Sequence, residues 1–182
     1  MTTQFPGFPS PAATFEAPLA MLAACHERIE AQCATLQRLA AHVAKHGGDD
    51  PARTAARGII RYFDTAGRHH HDDEEHDLFP ALIESMAGSD PVCIRELIES
   101  LKAEHRELDR RWQALRGWLA QIETGTSPAP PPPAQQIGEF VDGYERHIAR
   151  EESELLPMAE RLLDDHTLAM IGRTMSERRG AR

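Results

Sequence analysis

The chain has 182 residues, 41% of them hydrophobic, and a formal net charge of −9. That length allows one domain with a substantial core, and the acidic balance argues against nucleic acid, which needs a positive footprint. No apolar run approaches the length of a membrane span and the N-terminus has no basic start followed by an apolar stretch, so a cytoplasmic protein with no membrane partner is expected.

Residues 1–15 contain Phe5-Pro6-Gly7-Phe8-Pro9-Ser10-Pro11 and little periodicity. They read as an extended arm in which Phe5 and Phe8 are the groups able to pin it to the rest. A first helix is expected over 16–46, because Leu22, His26, Ile29, Cys33, Leu36 and Leu39 recur at steps of three and four. Gly47-Gly48-Asp49-Asp50-Pro51 stops it and starts a second helix over 51–86. The inner face of that helix runs through Ile59, Ile60, Phe63, Gly67, His70, Glu74 and Leu78. Gly88-Ser89-Asp90-Pro91 is the next break, with Pro91 suited to a first turn. The third helix covers 91–123, with Leu97, Leu101, His105, Leu108, Trp112, Leu115 and Leu119 inward. Residues 124–133 form a stiff proline linker. A fourth helix covers 134–163, and 164–182 read as a polar tail that frays or forms a short helix, its Arg178, Arg179 and Arg182 solvated. Strand signals are absent. The fold class expected is all-α, an up-down-up-down four-helix bundle over 16–163.

Within this plan one pattern occurs twice. His70-x3-Glu74-Glu75-x2-Leu78-Phe79-Pro80 matches His147-x3-Glu151-Glu152-x2-Leu155-Leu156-Pro157. Positions four apart share one helix face, so each copy offers an imidazole and a carboxylate aimed together. Pro80 and Pro157 each remove a backbone donor and should bend or end their helices. The repeat extends outward. Aligning His26 with His105 matches Leu22 with Leu101, Ile29 with Leu108, Cys33 with Trp112 and Leu36 with Leu115, and Phe63 and Phe140 both stand seven residues before the motif histidine. The chain therefore reads as two helical hairpins on one plan, related by a pseudo-two-fold axis with one histidine per helix near it.

Four histidines in core stripes and two carboxylates then converge: His26, His70, Glu74, His105, His147 and Glu151. Burying Glu74 and Glu151 without a partner costs several kcal/mol each, and a central cation removes that cost. No thiolate joins the set, which argues against an iron–sulfur cluster or a Cys-type zinc site. Mixed imidazole and carboxylate suits iron, with manganese and zinc also compatible. Six ligands exceed the need of one tetrahedral zinc and suit two ions bridged by both carboxylates, each with two histidines. Positions then stay open for dioxygen, nitric oxide or peroxide.

The neighbouring residues divide as follows. Cys25, Cys33 and Cys93 form no C-x2-C pair and read as reduced, buried packing groups. Glu30 and Asp109 stand four after His26 and His105 and read as solvated or supporting. His69, His71 and His76 lie in a polar run and read as a solvated face. The rival register His71-x3-Glu75 fails because only His70 and Glu74 sit at the repeated distances from Pro80. Glu75 and Glu152 fall about 100° off the inner face and read as exposed and replaceable. Tyr144 reads as packing between helices.

The set His26, His70-x3-Glu74, His105 and His147-x3-Glu151 resembles the hemerythrin-like HHE cation-binding domain, over about residues 16–163. The resemblance implies a four-helix bundle holding two non-haem iron ions. Two positions differ from the oxygen-carrying hemerythrins, which have a histidine where this chain has Asp109 and an aspartate five residues after the fourth-helix histidine, where the match here is Glu151 at four. The four-His, two-Glu set is similar to bacterial di-iron proteins that repair iron centres after nitrosative and oxidative stress, although nothing before His26 resembles their small cysteine-bearing N-terminal domain. Three functions are consistent with the pattern. One is binding or reaction with a small oxidant in sensing or protection. Another is iron storage or donation to a protein acceptor, and the third is a metal that only staples the fold. No nucleophile–base pair stands out, so turnover catalysis and oligomeric state are left open.

Overall fold

The structure is a computed structural model that describes residues 14–86, 92–125 and 129–180. The expected arm through residue 13, with Phe5 and Phe8, lies outside the described residues. The described chain is helical, with no strand among these residues.

Helix α1 is Pro18–His46. It ends at Gly47, whose φ of +74° suits a residue without a Cβ and whose amide bonds to the Val43 carbonyl. Helix α2 covers residues 50–85 without interruption. It begins at Asp49, whose side chain accepts from the Ala52 amide at 3.0 Å, with Pro51 in the first turn. Two π turns interrupt its α geometry, at Phe63–Gly67 and Glu74–Leu78. Helix α3 is Val92–Glu123. Helix α4 covers 134–162 and contains a matching π turn at Glu151–Leu155. Helix α5, Asp165–Arg178, starts at Asp164, which accepts from the Thr167 amide at 2.8 Å.

Helices α1, α2, α3 and α4 pack in a ring, each against the next, with α4 closing on α1. The stripes expected to face inward do so. Leu22, Ile29, Leu36 and Leu39 of α1 and Leu101, Leu108, Trp112 and Leu119 of α3 are buried, while Ile60 is only partly covered.

The proline effect takes a particular form. Neither Pro80 nor Pro157 ends its helix. A π turn precedes each, and in it the Phe79 and Leu156 amides reach back five residues to the carbonyls of Glu74 and Glu151. Inward residues of α2 (Ile59, Phe63, Gly67, His70, Glu74, Leu78) and α4 (Phe140, Tyr144, His147, Glu151, Leu155, Ala159) advance by fours with a single three. A regular helix turns in about 3.6 residues. The wide turns absorb the excess and keep the stripe facing the axis.

Arg178 and Arg179 are not solvated as the sequence suggests, and Arg182 lies outside the described residues. Helix α5 buries Ile171, Gly172 and Met175. Arg178 and Arg179 both bond to Asp73, a fully buried carboxylate of α2, the Arg179 pair at 2.6 Å. A buried carboxylate needs such a counter-charge, and a lone arginine cluster in sequence does not reveal it. Cys93 corrects another expectation. It is exposed, on the outer side of the first turn of α3, whereas Cys25 and Cys33 are buried. No helix among the described residues is long and apolar enough to cross a membrane.

Candidate metal centre

The bundle interior consists of two apolar clusters with a polar layer between them. One holds Ile29, Leu108, Phe63, Trp112, Phe140 and Tyr144; the other holds Leu22, Leu101, Leu78, Phe79 and Leu155. The sequence places each histidine at the seam, since His26 stands between Leu22 and Ile29, and His105 between Leu101 and Leu108.

All six residues singled out by the repeat meet in this layer, none more than 3% exposed. They form two four-donor groups. His26, His70, Glu74 and Glu151 bring ligand atoms within 4.8 Å of one another, and so do His105, His147, Glu74 and Glu151. Both groups share the two carboxylates. The hairpins also exchange partners: His26 Nε2 of α1 lies 3.1 Å from Glu151 of α4, and His105 Nε2 of α3 lies 3.3 Å from Glu74 of α2. His147 Nε2 lies 3.1 Å from Glu151, and His70 Nε2 lies 3.5 Å from Glu74.

These donors are close but poorly paired. His26 Nε2, both ring nitrogens of His70 and all four oxygens of Glu74 and Glu151 are buried without a hydrogen-bond partner. His105 Nε2 and His147 Nε2 stand only 3.0 Å apart. Buried polar groups are nearly always satisfied, and an unsatisfied one costs about 1–3 kcal/mol, more if charged. Orphaned nitrogen and oxygen donors converging from four helices fit a cation, and the absence of thiolate favours one that accepts imidazole and carboxylate.

The electrostatics agree. Burial works against a charge on His105, but Glu151, Glu74 and Glu75 overturn it and raise its pKa to about 11. Burial likewise opposes charge on His147, which Glu104 and Glu151 nevertheless raise to about 9. His26 is also raised, burial being outweighed mainly by Glu151. Burial, then the charge of Glu151, pushes Glu74 up to about 7. Burial opposes the ionisation of Glu151, but His105, His147 and His26 hold it well below the usual range. Burial drives His70 and His71 well below the normal imidazole value. The two buried carboxylates thus favour positive charge on His26, His105 and His147.

Beyond the six, the structure identifies residues the sequence did not. Glu75 accepts from His105 Nδ1 at 2.7 Å, and Glu152 from His26 Nδ1 at 3.2 Å. Both were expected to be exposed and replaceable, and Glu152 is exposed. They do lie off the inner face, but the same offset carries each to the far ring nitrogen of a histidine on the opposite hairpin. Such contacts fix a ligating ring's orientation and tautomer. The doubled second glutamate of the motif was the available signal. Glu104 accepts from His147 Nδ1 at 2.8 Å and is itself bonded by Arg150. Its counterpart in the repeat is Cys25, so no pattern pointed to it, and His70 Nδ1 has no such acceptor.

His71 is the other correction. It leaves the solvated face of its run and stacks on His105, ring centroids 4.0 Å apart at 13°, with Nε2 buried and unpartnered. His76 is exposed as expected. Glu30 and Asp109 are exposed and outside the donor groups. Tyr144 is buried and packs on Phe63 and Phe140.

Comparison with known proteins agrees with this geometry. The hemerythrin HHE cation-binding domain model matches residues 17–159. An uncharacterised protein of Haemophilus influenzae is 33% identical over 171 residues, covering 94% of this chain and 95% of that protein. The buried His/Glu layer could hold a metal ion, and the chain belongs to the hemerythrin HHE cation-binding domain family.

Proposed function

We propose that this protein is a non-haem di-iron protein that binds or reacts with a small oxidant, namely dioxygen, nitric oxide or peroxide, in sensing or stress protection. The single observation that carries the reading is the sharing of Glu74 and Glu151 by two four-donor groups. One cation would lie with His26 and His70, the other with His105 and His147, and both carboxylates would serve both ions. In an up-down-up-down bundle the pseudo-two-fold axis of the hairpins passes between them.

Two ferrous ions bound there supply electron transfer to a diatomic ligand or peroxide. The protein's own part is positional. Glu75, Glu152 and Glu104 hold Nδ1 of three histidines and so direct Nε2 inward. The apolar clusters above and below exclude water and strengthen every interaction within the layer. Donors exposed by 3% or less favour small reactants over organic substrates.

The test is iron analysis and an optical spectrum of the purified protein under nitrogen and under air. Two irons per chain with an oxidant-dependent spectral change support the reading. A protein that takes up no iron, or whose iron-loaded spectrum ignores oxidants, overturns it. Iron release to a metal-free acceptor in place of that change would favour storage or donation. Unfolding on metal removal, with no azide or nitric oxide binding, would mark a purely structural ion.

A further inference from the structure

The two halves of the centre are not equivalent. In the repeat, the residue after His70 is His71, and the residue after His147 is Ile148, which is buried and apolar. Helix α2 therefore carries an extra imidazole at a position where α4 carries a hydrocarbon. Consecutive residues on a helix diverge by about 100°, and α2 packs between α1 and α3. The pair divides accordingly. His70 meets His26 of α1, ring centroids 4.9 Å apart, while His71 meets His105 of α3 at 4.0 Å.

His71 is built into the layer. Ligand atoms of His71, His105 and His147 lie within 4.8 Å of one another, a third donor group distinct from the two that share the carboxylates. His71 Nε2 is buried and makes no hydrogen bond. The ring also stacks on Tyr144, centroids 6.0 Å apart. A crevice of about 20 Å³, lined by His71, Tyr144, Asp109 and Trp112 among others, has room for about one water molecule. An imidazole nitrogen buried and unpaired among other ligand nitrogens carries the same kind of desolvation cost that marks His26 and His70.

We propose that His71 is a fifth imidazole of the centre, serving the cation held by His105 and His147, so that one metal position has three nitrogens and the other two. The inference rests on the dinuclear reading above. The His105/His147 ion, with the larger donor set, is the last to leave on chelation.

Zinc(II)-loaded, 15N-histidine-labelled protein separates the two ideas. NMR of the wild type should show five metal-bound ring nitrogens, one of which is lost in H71L, while H76A keeps all five. H71L should weaken zinc binding at one of two sites by at least the roughly 10–100-fold known for loss of outer-shell partners, measured by chelator competition. Four metal-bound imidazoles in the wild type, or an H71L protein with unchanged count and affinity, overturns the role of His71 and leaves the dinuclear reading intact. Fewer than four, or a single zinc per chain, overturns the dinuclear reading itself. Should H71L fail to fold, the wild-type count alone decides.

Discussion

Glu75 Oε1 lies 2.7 Å from His105 Nδ1, joining the residue beside one shared carboxylate to a histidine on the opposite hairpin. Glu152 and His26 repeat the relationship at 3.2 Å. Each H-x3-E-E motif thus spends its first glutamate on the centre and its second on aligning a donor from the other half. Replacing Glu75 by alanine should lower iron affinity by roughly 10–100-fold. Glu152→Ala should do less, because Glu152 is 52% exposed and its contact is longer. Chelator competition under nitrogen measures both, and wild-type affinity in Glu75→Ala would contradict the assignment.

Glu74→Ala and Glu151→Ala should each lose at least one metal ion per chain. Both carboxylates belong to both four-donor groups, so neither group survives intact. Elemental analysis of the purified variants reads this directly. A full metal complement in either variant would show that the carboxylates do not bridge.

Metal binding should release protons. With pKa values raised to about 11 and about 9, His105 and His147 are protonated at pH 7 in the metal-free protein. A cation must displace those protons, since only the neutral ring is a ligand. Affinity therefore rises with pH up to about 11, where His105 loses its proton, and falls on acidification. The fall steepens below about 7, where Glu74 also takes up a proton. A pH-stat titration with zinc(II) at pH 7 should register net acid release, and none would contradict the protonation pattern.

Asp73→Ala should loosen the C-terminal helix. The fully buried carboxylate is the shared acceptor of Arg178 and Arg179, and removing one side of a buried pair costs about 3–5 kcal/mol. The lower end is expected, because Arg178 keeps Asp77 at 2.8 Å. Urea unfolding should show a clearly lower midpoint. An unchanged midpoint would mean that α5 is held by its apolar face alone.

Gly172→Ala should act on the same element by a different route. A Cβ there would lie 1.9 Å from the Phe15 carbonyl oxygen, backbone that cannot rotate aside. A destabilisation of about 1–3 kcal/mol is expected from such overpacking, with thermal melting as the readout. Gly58→Ala, with nothing within 4 Å of its Cβ, is the control that should leave stability unchanged or slightly raised.

The sequence alone was enough for the all-helical class, the doubled motif and the convergence of His26, His70, Glu74, His105, His147 and Glu151, because helical periodicity ties residue spacing to a face and the repeat selects one register. Residues off that face were read only as solvent-directed, since periodicity says where a side chain starts and not how far it reaches. Tertiary packing decided that Glu75 and Glu152 cross to the opposite hairpin, that Glu104 steadies His147, that His71 enters the layer beside His105, and that Arg178 and Arg179 neutralise Asp73. Each of these depends on which helix lies alongside, a relation between segments distant in the chain. The π turns belong to the same category: spacing by fours hinted at them, but only the backbone path of α2 and α4 reveals where the extra residue is absorbed.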